Sequence, residues 1–134
     1  MKILLGYQPH YESEKGLFVT LKFAKALNAE VVVISSDMTG EKGHTLYKGE
    51  KAAKKRLDDA KAFFEKNGVP CRTEYLDRGI EPWDDIVDKA KEYEVDVIVL
   101  GNKKRSRFEK ILVGSTTQRV ILEADCPVMT YKED

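Results

Sequence analysis

The chain has 134 residues, the size of a single domain, and its 23 basic and 23 acidic residues give a formal net charge of zero. This length excludes a multidomain enzyme, and the balanced charge argues against a nucleic-acid or anionic-membrane partner. The longest apolar runs, at 31–34 and 97–101, are far shorter than the roughly 20 residues that a membrane-spanning helix requires. We therefore expect one soluble domain over residues 1–134.

Short runs of β-branched residues alternate with longer segments of helical periodicity, which is typical of a parallel sheet covered by helices. In the first part of the chain, the pattern predicts a strand over residues 2–7, a helix over 13–28 and a strand around 31–34. Residues 37–47 hold two glycines and no periodicity, so we expect an exposed loop there. Long loops beside a sheet edge are often functional.

The alternation continues with a helix over 49–66, a strand over 71–76, a further helix and a strand over 95–100. The further helix opens with Pro82 in its first turn, and Asp85 lies near its N-terminus, where the helix dipole favours a carboxylate. We expect one apolar face of each of these two helices to pack on the sheet. In the helix over 49–66 this face is formed by Ala53, Leu57, Ala60 and Phe64, and in the helix that opens with Pro82 it is formed by Trp83, Ile86, Val87 and Ala90.

A last short helix and a final strand complete the pattern. Ser115 and Gln118 have the spacing of a capping box, so we expect Ser115 to be the N-cap of this helix. Ile121 is expected on its inner side, and a strand over 128–131 follows. With five strands and four helices, we predict an α/β fold: a single open, doubly wound, parallel five-stranded sheet in the order 3-2-1-4-5, with helices on both faces.

The predicted strand order locates a candidate ligand site. In an open doubly wound sheet, ligands bind outside the carboxyl ends of the strands, where the strand order reverses. For the order 3-2-1-4-5, residues 6–9 and 101–104 meet at that point. The second segment leads to the small residues 114–116, whose backbone N–H groups begin a helix and attract anions. The basic run 103–110 is either a solvated loop or a source of attraction for phosphate.

The residues after the fourth strand resemble the motif of a known family. The segment 101–115 reads Gly, two residues, Lys, nine residues, Gly and Ser. Universal stress proteins that bind ATP typically carry Gly, two residues, Gly, nine residues, Gly and Ser or Thr at this place. The Cys-Pro-Val run at 126–128 is also similar to the start of that family's last strand. The chain thus resembles the universal stress proteins over its whole length.

This resemblance implies the adenine nucleotide alpha hydrolase-like version of the fold and binding of ATP or AMP, with Mg²⁺ accompanying ATP. It implies that the phosphates lie on residues 114–116 and that the adenine lies near residues 35–37. It also implies a homodimer formed through the last strand, 128–131. The candidate nucleotide-binding residues are Gly6, Tyr7, Gln8, Ser36, Gly101, Asn102, Lys104, Gly114, Ser115 and Thr116.

The sequence departs from the family's pattern at two of these positions. Gln8 stands where the family usually has an Asp that contacts the ribose, and it hydrogen-bonds a hydroxyl without supplying a charge. Lys104 replaces the second glycine of the motif, which gives up a close backbone approach to phosphate but adds a positive charge. We therefore predict a stress-response binding or signalling module for an adenine nucleotide; the alternative is a dimeric interaction protein of the same fold that does not require nucleotide.

The remaining reactive residues do not indicate catalysis. Cys71 and Cys126 belong to no CxxC or Cys/His cluster, and they begin strands at opposite edges of the predicted sheet, so they cannot form a disulfide within one chain. Such cysteine usage is typical of a reducing cytoplasm. His10 and His44 lie in polar stretches without metal-ligand spacing. No nucleophile signature such as GxSxG is present, so we expect a protein that is not an enzyme.

Overall fold

The computed structural model describes residues 1–7, 14–37, 43–102 and 114–132, and for residues 43–48 it describes the backbone alone. Within these residues, the alternating pattern of the sequence folds as five strands and four helices. In chain order they are β1 (Lys2–Gly6), α1 (Lys15–Leu27), β2 (Glu30–Ser36), α2 (Gly43–Lys66), β3 (Cys71–Leu76), α3 (Pro82–Glu92), β4 (Val97–Asn102), α4 (Ser115–Glu123) and β5 (Val128–Lys132).

The five strands form one parallel sheet in the order β3-β2-β1-β4-β5, which confirms the predicted fold class and order. β1 lies at the centre, and Leu5 pairs with Val33 on one side and with Val99 on the other. A strand that is covered on both faces must be apolar throughout. Ile3, Leu4 and Leu5 accordingly have no exposed surface.

The helices cover both faces of the sheet, so the core has two halves. α1 and α2 pack on the face that carries Ile3 and Leu5, whereas α3 and α4 cover the face that carries Leu4. The four residues predicted to form the inner face of α2 are all buried: Ala53, Leu57, Ala60 and Phe64. None of the helices in the described ranges is long and apolar enough to cross a bilayer.

Two element boundaries differ from the sequence prediction. α2 begins at Gly43, so residues 43–47 of the predicted loop are helical, and residues 38–42 lie outside the described part of the chain. A glycine costs a helix only about 1 kcal/mol, which the packing of the later turns offsets. β4 continues to Asn102, beyond its predicted end at residue 100, because its last residues pair with Tyr131 and Lys132 of β5.

The expectation for Ile121 was wrong. Its side chain is 49% exposed, whereas Val120 beside it is fully buried. α4 has only nine residues and contacts α3 and β4, so its buried stripe is narrow and is formed by Thr117 and Val120. Positions three residues apart lie on the same side of a helix, and Ile121 lies about 100° away from Val120.

The helices return to the amino edge of the sheet through short turns. Asn28, Gly68 and Glu94 have positive φ angles of 52°, 80° and 54°, in the left-handed region that terminates helices. The Asn67 side-chain amide, just after α2, donates a hydrogen bond of 2.8 Å to the carbonyl oxygen of Phe63. The connections at the carboxyl edge, over 7–14, 37–42 and 103–114, are longer.

Candidate functional site

The reversal of strand order lies between β1 and β4, as predicted. Gly6 ends β1 at this point, and an added Cβ there would lie 2.5 Å from Cδ2 of Leu100 and 3.3 Å from Cδ1 of Ile86. Because these two side chains already fill the space, Gly6 permits the packing of Leu100 and Ile86 beneath the end of β1. Leu100 and Ile86 belong to the buried core on the face covered by α3 and α4.

Tyr7 follows Gly6 and turns to the opposite face of the sheet. Its backbone N–H donates to the carbonyl oxygen of Ile34 at 2.8 Å. The guanidinium of Arg56, from α2, lies 5.0 Å from the centre of the Tyr7 ring and donates to its hydroxyl at 3.4 Å. The side chain of this candidate residue is therefore engaged with α2.

Gly101 and Asn102 are the last two residues of β4, rather than the first residues of the following loop. The side-chain oxygen of Asn102 is buried and accepts no hydrogen bond from the residues that the structure describes. A buried carbonyl without a donor costs free energy, so this atom is a place where a ligand hydroxyl or amino group would be stabilised.

The N-terminus of α4 lies at the same edge of the sheet. β5 starts beside Ile98 at the amino end of β4, where the Ile98 N–H donates to the carbonyl oxygen of Pro127 at 3.0 Å. α4 ends shortly before β5 starts, at the amino edge of the sheet, and its nine helical residues extend about 13 Å. The first turn of α4, which holds Ser115 and Thr116, is thus carried back toward the carboxyl ends of the strands.

The prediction that Ser115 is the N-cap was wrong. Gly114 is the N-cap, with extended φ and ψ of −61° and 156°, and no side chain caps this helix. The carbonyl oxygen of Gly114 accepts from the Gln118 N–H at 2.9 Å, which closes the first turn one residue earlier than the capping-box pattern indicated. Ser115 is exposed, and its hydroxyl makes no cap hydrogen bond.

This helix start can bind an anion. The backbone N–H groups of residues 115–117 have no acceptor within the helix, and the helix dipole adds partial positive charge. Among the described residues, apart from the two chain neighbours, no atom lies within 4 Å of the position of a Cβ on Gly114. Gln8, Lys104 and the basic run 103–110 lie outside the described residues.

Ser36 ends β2 and belongs to a buried polar cluster. Its hydroxyl donates to Oδ2 of Asp85 at 2.5 Å, and Asp85 has no exposed surface. Nε of Arg78 donates to Oδ1 of the same carboxylate at 2.6 Å, and Nη2 also pairs with it. These three residues form the Ser36–Asp85–Arg78 cluster. The hydrogen bond to Asp85 raises the pKa of Arg78 above its ordinary value.

The sequence prediction did not identify this cluster. Asp85 was expected only to favour the N-terminus of α3, which it does from the first turn of that helix. The sequence did carry one indication of the cluster: Asp85 stands directly before Ile86 and Val87, two residues of the inward face. A carboxylate at such a position is buried and therefore needs a partner. The sequence does not specify which cation or hydroxyl provides that partner.

Ser35 and Ser36 offer a matched pair of substitutions. Ser36→Ala removes the hydrogen bond to a buried carboxylate, so we expect the free energy of unfolding to fall by about 1.5–3 kcal/mol. Ser35 is also buried, but its hydroxyl has no partner among the described residues, so Ser35→Ala should change stability by less than about 0.5 kcal/mol or increase it. Urea denaturation measures both. Equal losses would contradict this account of the cluster.

Neither cysteine is poised to react. Both are free, and they lie in β3 and before β5, at opposite edges of the sheet. Burial raises the pKa of the Cys71 thiol to about 12, and burial also raises the pKa of Cys126. Both thiols are therefore protonated at neutral pH, whereas the thiolate is the reactive form. In the described part of the chain, no group of three or more His, Cys, Asp or Glu residues is arranged to hold a metal ion.

Comparison with known proteins identifies the family. A model described as "Universal stress protein family" matches residues 1–132. The chain belongs to this family. The deciding match covers β1 to β5, and it agrees with the resemblance found in the sequence motif.

Individual universal stress proteins are similar to the chain. Universal stress protein MJ0531 of Methanocaldococcus jannaschii is 39% identical over 85 residues, which are 63% of the chain and 46% of that protein, so the chain spans about half of its length. A universal stress protein structure from Archaeoglobus fulgidus is 34% identical, with a TM-score of 0.83 and 97% of both chains covered. A structure of the Archaeoglobus fulgidus universal stress protein in complex with dAMP is 32% identical, with a TM-score of 0.76, and covers 97% of this chain and 96% of that one.

Proposed function

We propose that this universal stress protein binds an adenine nucleotide, ATP or AMP, at the carboxyl ends of β1 and β4. The observation that carries the proposal is the meeting of the strand-order reversal with the open start of α4 at one edge of the sheet. Doubly wound sheets bind ligands at this point, and a helix N-terminus there suits a phosphate. The dAMP complex of a relative that is 32% identical to the chain supports the choice of an adenine nucleotide.

The described residues fit the parts of a nucleotide. The phosphates would accept hydrogen bonds from the N–H groups of residues 115–117 and from the hydroxyls of Ser115 and Thr116. The side-chain oxygen of Asn102, which has no donor among the residues that the structure describes, would accept from a ribose hydroxyl. The base would extend toward β2, and Gln8 and Lys104 remain candidate contacts of the ribose and the phosphates.

Binding rather than turnover is the proposed activity. Hydrolysis of a phosphoanhydride requires a residue that positions or deprotonates the attacking water, and neither the sequence motifs nor the described geometry suggests a candidate. Mg²⁺ would accompany ATP and be held by its phosphates and by water, as is usual for a cation that keeps much of its hydration shell.

Calorimetric titration of stripped protein tests the proposal. The protein is unfolded and refolded to remove any bound nucleotide, the released material is identified by mass spectrometry, and ATP and AMP are then titrated with and without Mg²⁺. A dissociation constant in the micromolar range for either nucleotide is expected. Absence of bound nucleotide, together with no heat of binding at millimolar ATP and AMP, would overturn the proposal.

We also propose a homodimer formed through β5, which the edge position of this strand and the exposed apolar residues of α4 favour. β5 is an edge strand that pairs only with β4 among the described strands, and the neighbouring α4 exposes 49% of Ile121 and 73% of Leu122. An unpaired edge strand beside apolar surface is a suitable place for a second copy. We propose that the two copies associate here and that the dimer is the form that engages protein partners if nucleotide is not required.

Light scattering at micromolar concentration tests this dimer. A mass of twice 15.2 kDa is expected for the wild type. Leu122→Glu should shift the mass toward the monomer, because it places a charge in the contact, whereas Leu27→Glu on the far side of the sheet should leave the dimer intact. A monomeric wild type at micromolar concentration would overturn the proposed dimer without affecting the nucleotide proposal.

A further inference from the structure

We infer that Arg119, held against Trp83, is a further binding residue that contacts the terminal phosphates of a nucleotide, so that the site prefers ATP to AMP. This inference rests on the proposed nucleotide site and names the phosphate chain that the site selects. It concerns a pair of side chains that connects α4 to the first turn of α3 and lies outside the sequence motif of residues 101–115.

Arg119 and Trp83 form a stacked pair between the two helices. The guanidinium carbon of Arg119 lies 4.4 Å from the centre of the Trp83 ring. A guanidinium over the face of an indole is attracted by the negative charge of that face. Trp83 is in the first turn of α3, which starts at the carboxyl edge of the sheet after β3. The contact therefore holds this cation beside the edge at which α4 also begins.

The position of Arg119 on α4 brings its side chain toward the proposed phosphates. Its Cα lies only about 6 Å along the helix axis from that of Ser115. A long side chain on a helix covers the turn before its own Cα, which for Arg119 is the first turn of α4. Arg119 is also the only basic residue in α4. It is thus the cation of this helix that a phosphate chain at residues 115–117 would meet.

The hydrogen-bonding groups of Arg119 are available to a ligand. Stacking uses the face of the guanidinium, whereas its N–H groups lie in the plane. Nη2 lies 3.8 Å from Oε1 of Glu123, beyond hydrogen-bond distance, and both side chains are 48% exposed. An exposed pair of this kind is weak. A phosphate chain, which carries more charge than one carboxylate, would therefore displace Glu123.

The length of the phosphate chain decides whether Arg119 takes part. The single phosphate of AMP is sufficient to accept from the N–H groups of residues 115–117. ATP has further phosphates, whose oxygens need donors beyond that turn, and Arg119 supplies charge-assisted hydrogen bonds there. One hydrogen bond to a charged group changes an affinity by about tenfold or more. ATP should therefore bind more tightly than AMP by at least that factor.

Calorimetry with ATP and AMP, each with Mg²⁺ at the same ionic strength, tests the inference. The wild type should bind ATP at least about tenfold more tightly than AMP, and Arg119→Ala should lower the affinity for ATP by about tenfold while that for AMP changes less than about twofold. Equal affinities in the wild type, or equal effects on both nucleotides in Arg119→Ala, would overturn the inference while the proposed function stands. Failure of the wild type to bind either nucleotide would overturn the proposed function itself, and the inference with it.

Arg72→Ala is the matched control for the loss of a positive charge. Arg72 lies 5.3 Å from the centre of the Tyr93 ring, so it forms the same kind of pair, but at the amino edge of the sheet, where β3 starts and α3 ends. Charges farther apart than about 8 Å are largely screened at physiological salt. The ratio of ATP to AMP affinity should therefore equal that of the wild type. A ratio lowered as much as in Arg119→Ala would overturn the inference.

Trp83→Leu tests whether the ring positions the cation. This variant keeps Arg119 and removes the aromatic face that holds it, so the ratio of ATP to AMP affinity should fall by about two- to fivefold, the size of an exposed cation–π contact. The affinity for AMP should stay within about twofold of the wild type, because AMP does not use Arg119. An unchanged ratio would overturn the part of the inference that assigns a role to Trp83.

Discussion

Gly114→Val is expected to lower the affinity for an adenine nucleotide by about 100-fold or more while the fold persists. The new side chain would cover the N–H groups of residues 115–117, which are the proposed hydrogen-bond donors to the phosphates. The fold should persist because Gly114 has extended φ and ψ that valine adopts readily, and because no described residue other than its chain neighbours comes within 4 Å of the added Cβ. Calorimetry measures the affinity, and thermal unfolding without ligand should show a loss below about 1 kcal/mol.

The matched control is Glu81→Val. Glu81 is the N-cap of α3, also extended, with φ and ψ of −64° and 144°, and it also makes no side-chain cap hydrogen bond. The same valine is thus added at the start of a helix that the proposal does not assign to nucleotide binding, and affinity should be unchanged. Retention of wild-type affinity in Gly114→Val would remove the start of α4 from the site.

Arg78→Ala is expected to have the largest effect on stability, a loss of about 3 kcal/mol in the free energy of unfolding. It removes the cation from Asp85, which is completely buried; among the described side chains, the hydroxyl of Ser36 then remains as its donor. Loss of one partner of a buried ion pair typically costs about 3–5 kcal/mol. The lower end applies because the Arg78 side chain is itself 43% exposed, so water reaches part of the vacated space.

Lys91→Ala provides the comparison for this loss. Lys91 lies on α3, as Asp85 does, and pairs with Asp125 at 3.8 Å. The side chains of Lys91 and Asp125 are 59% and 81% exposed. Exposed pairs of this kind contribute about 0–1 kcal/mol, so the variant should unfold at nearly the wild-type urea midpoint. A loss in Arg78→Ala as small as that in Lys91→Ala would mean that Asp85 finds another partner or solvent.

Much of the fold followed from local patterns in the sequence. The central strands carry uninterrupted apolar runs, and the inner face of α2 repeats at helical spacing, so element type and burial were predictable. The boundaries of strands and helices were less predictable, because they depend on residues that are distant in the chain. β4 runs to Asn102 where β5 pairs with it, and α2 begins at Gly43 despite the low helix propensity of glycine.

The candidate site was predictable in position but not in detail. Strand order and the small residues at 114–116 located it, since both are readable from pattern and topology. The roles of individual side chains were not readable. Ser115 carries the residue types of a capping box, yet Gly114 closes the helix. Ser36 stays a predicted nucleotide contact, but the pattern gave no sign that its hydroxyl donates to Asp85, which lies 49 residues away in the chain.

The two edges of the sheet differ in how freely their connections can change length. At the amino edge, helices return to strands over 28–29, 67–70, 93–96 and 124–127, and left-handed residues fix several of these turns. An insertion there would displace a helix from the core. The connections over 7–14, 37–42 and 103–114 leave from the opposite edge, and lengthening a connection adds little to the entropic cost of closing it. Loop grafts and circular permutation should therefore be tolerated at the edge that carries the candidate site, so recognition can diversify while the scaffold stays constant.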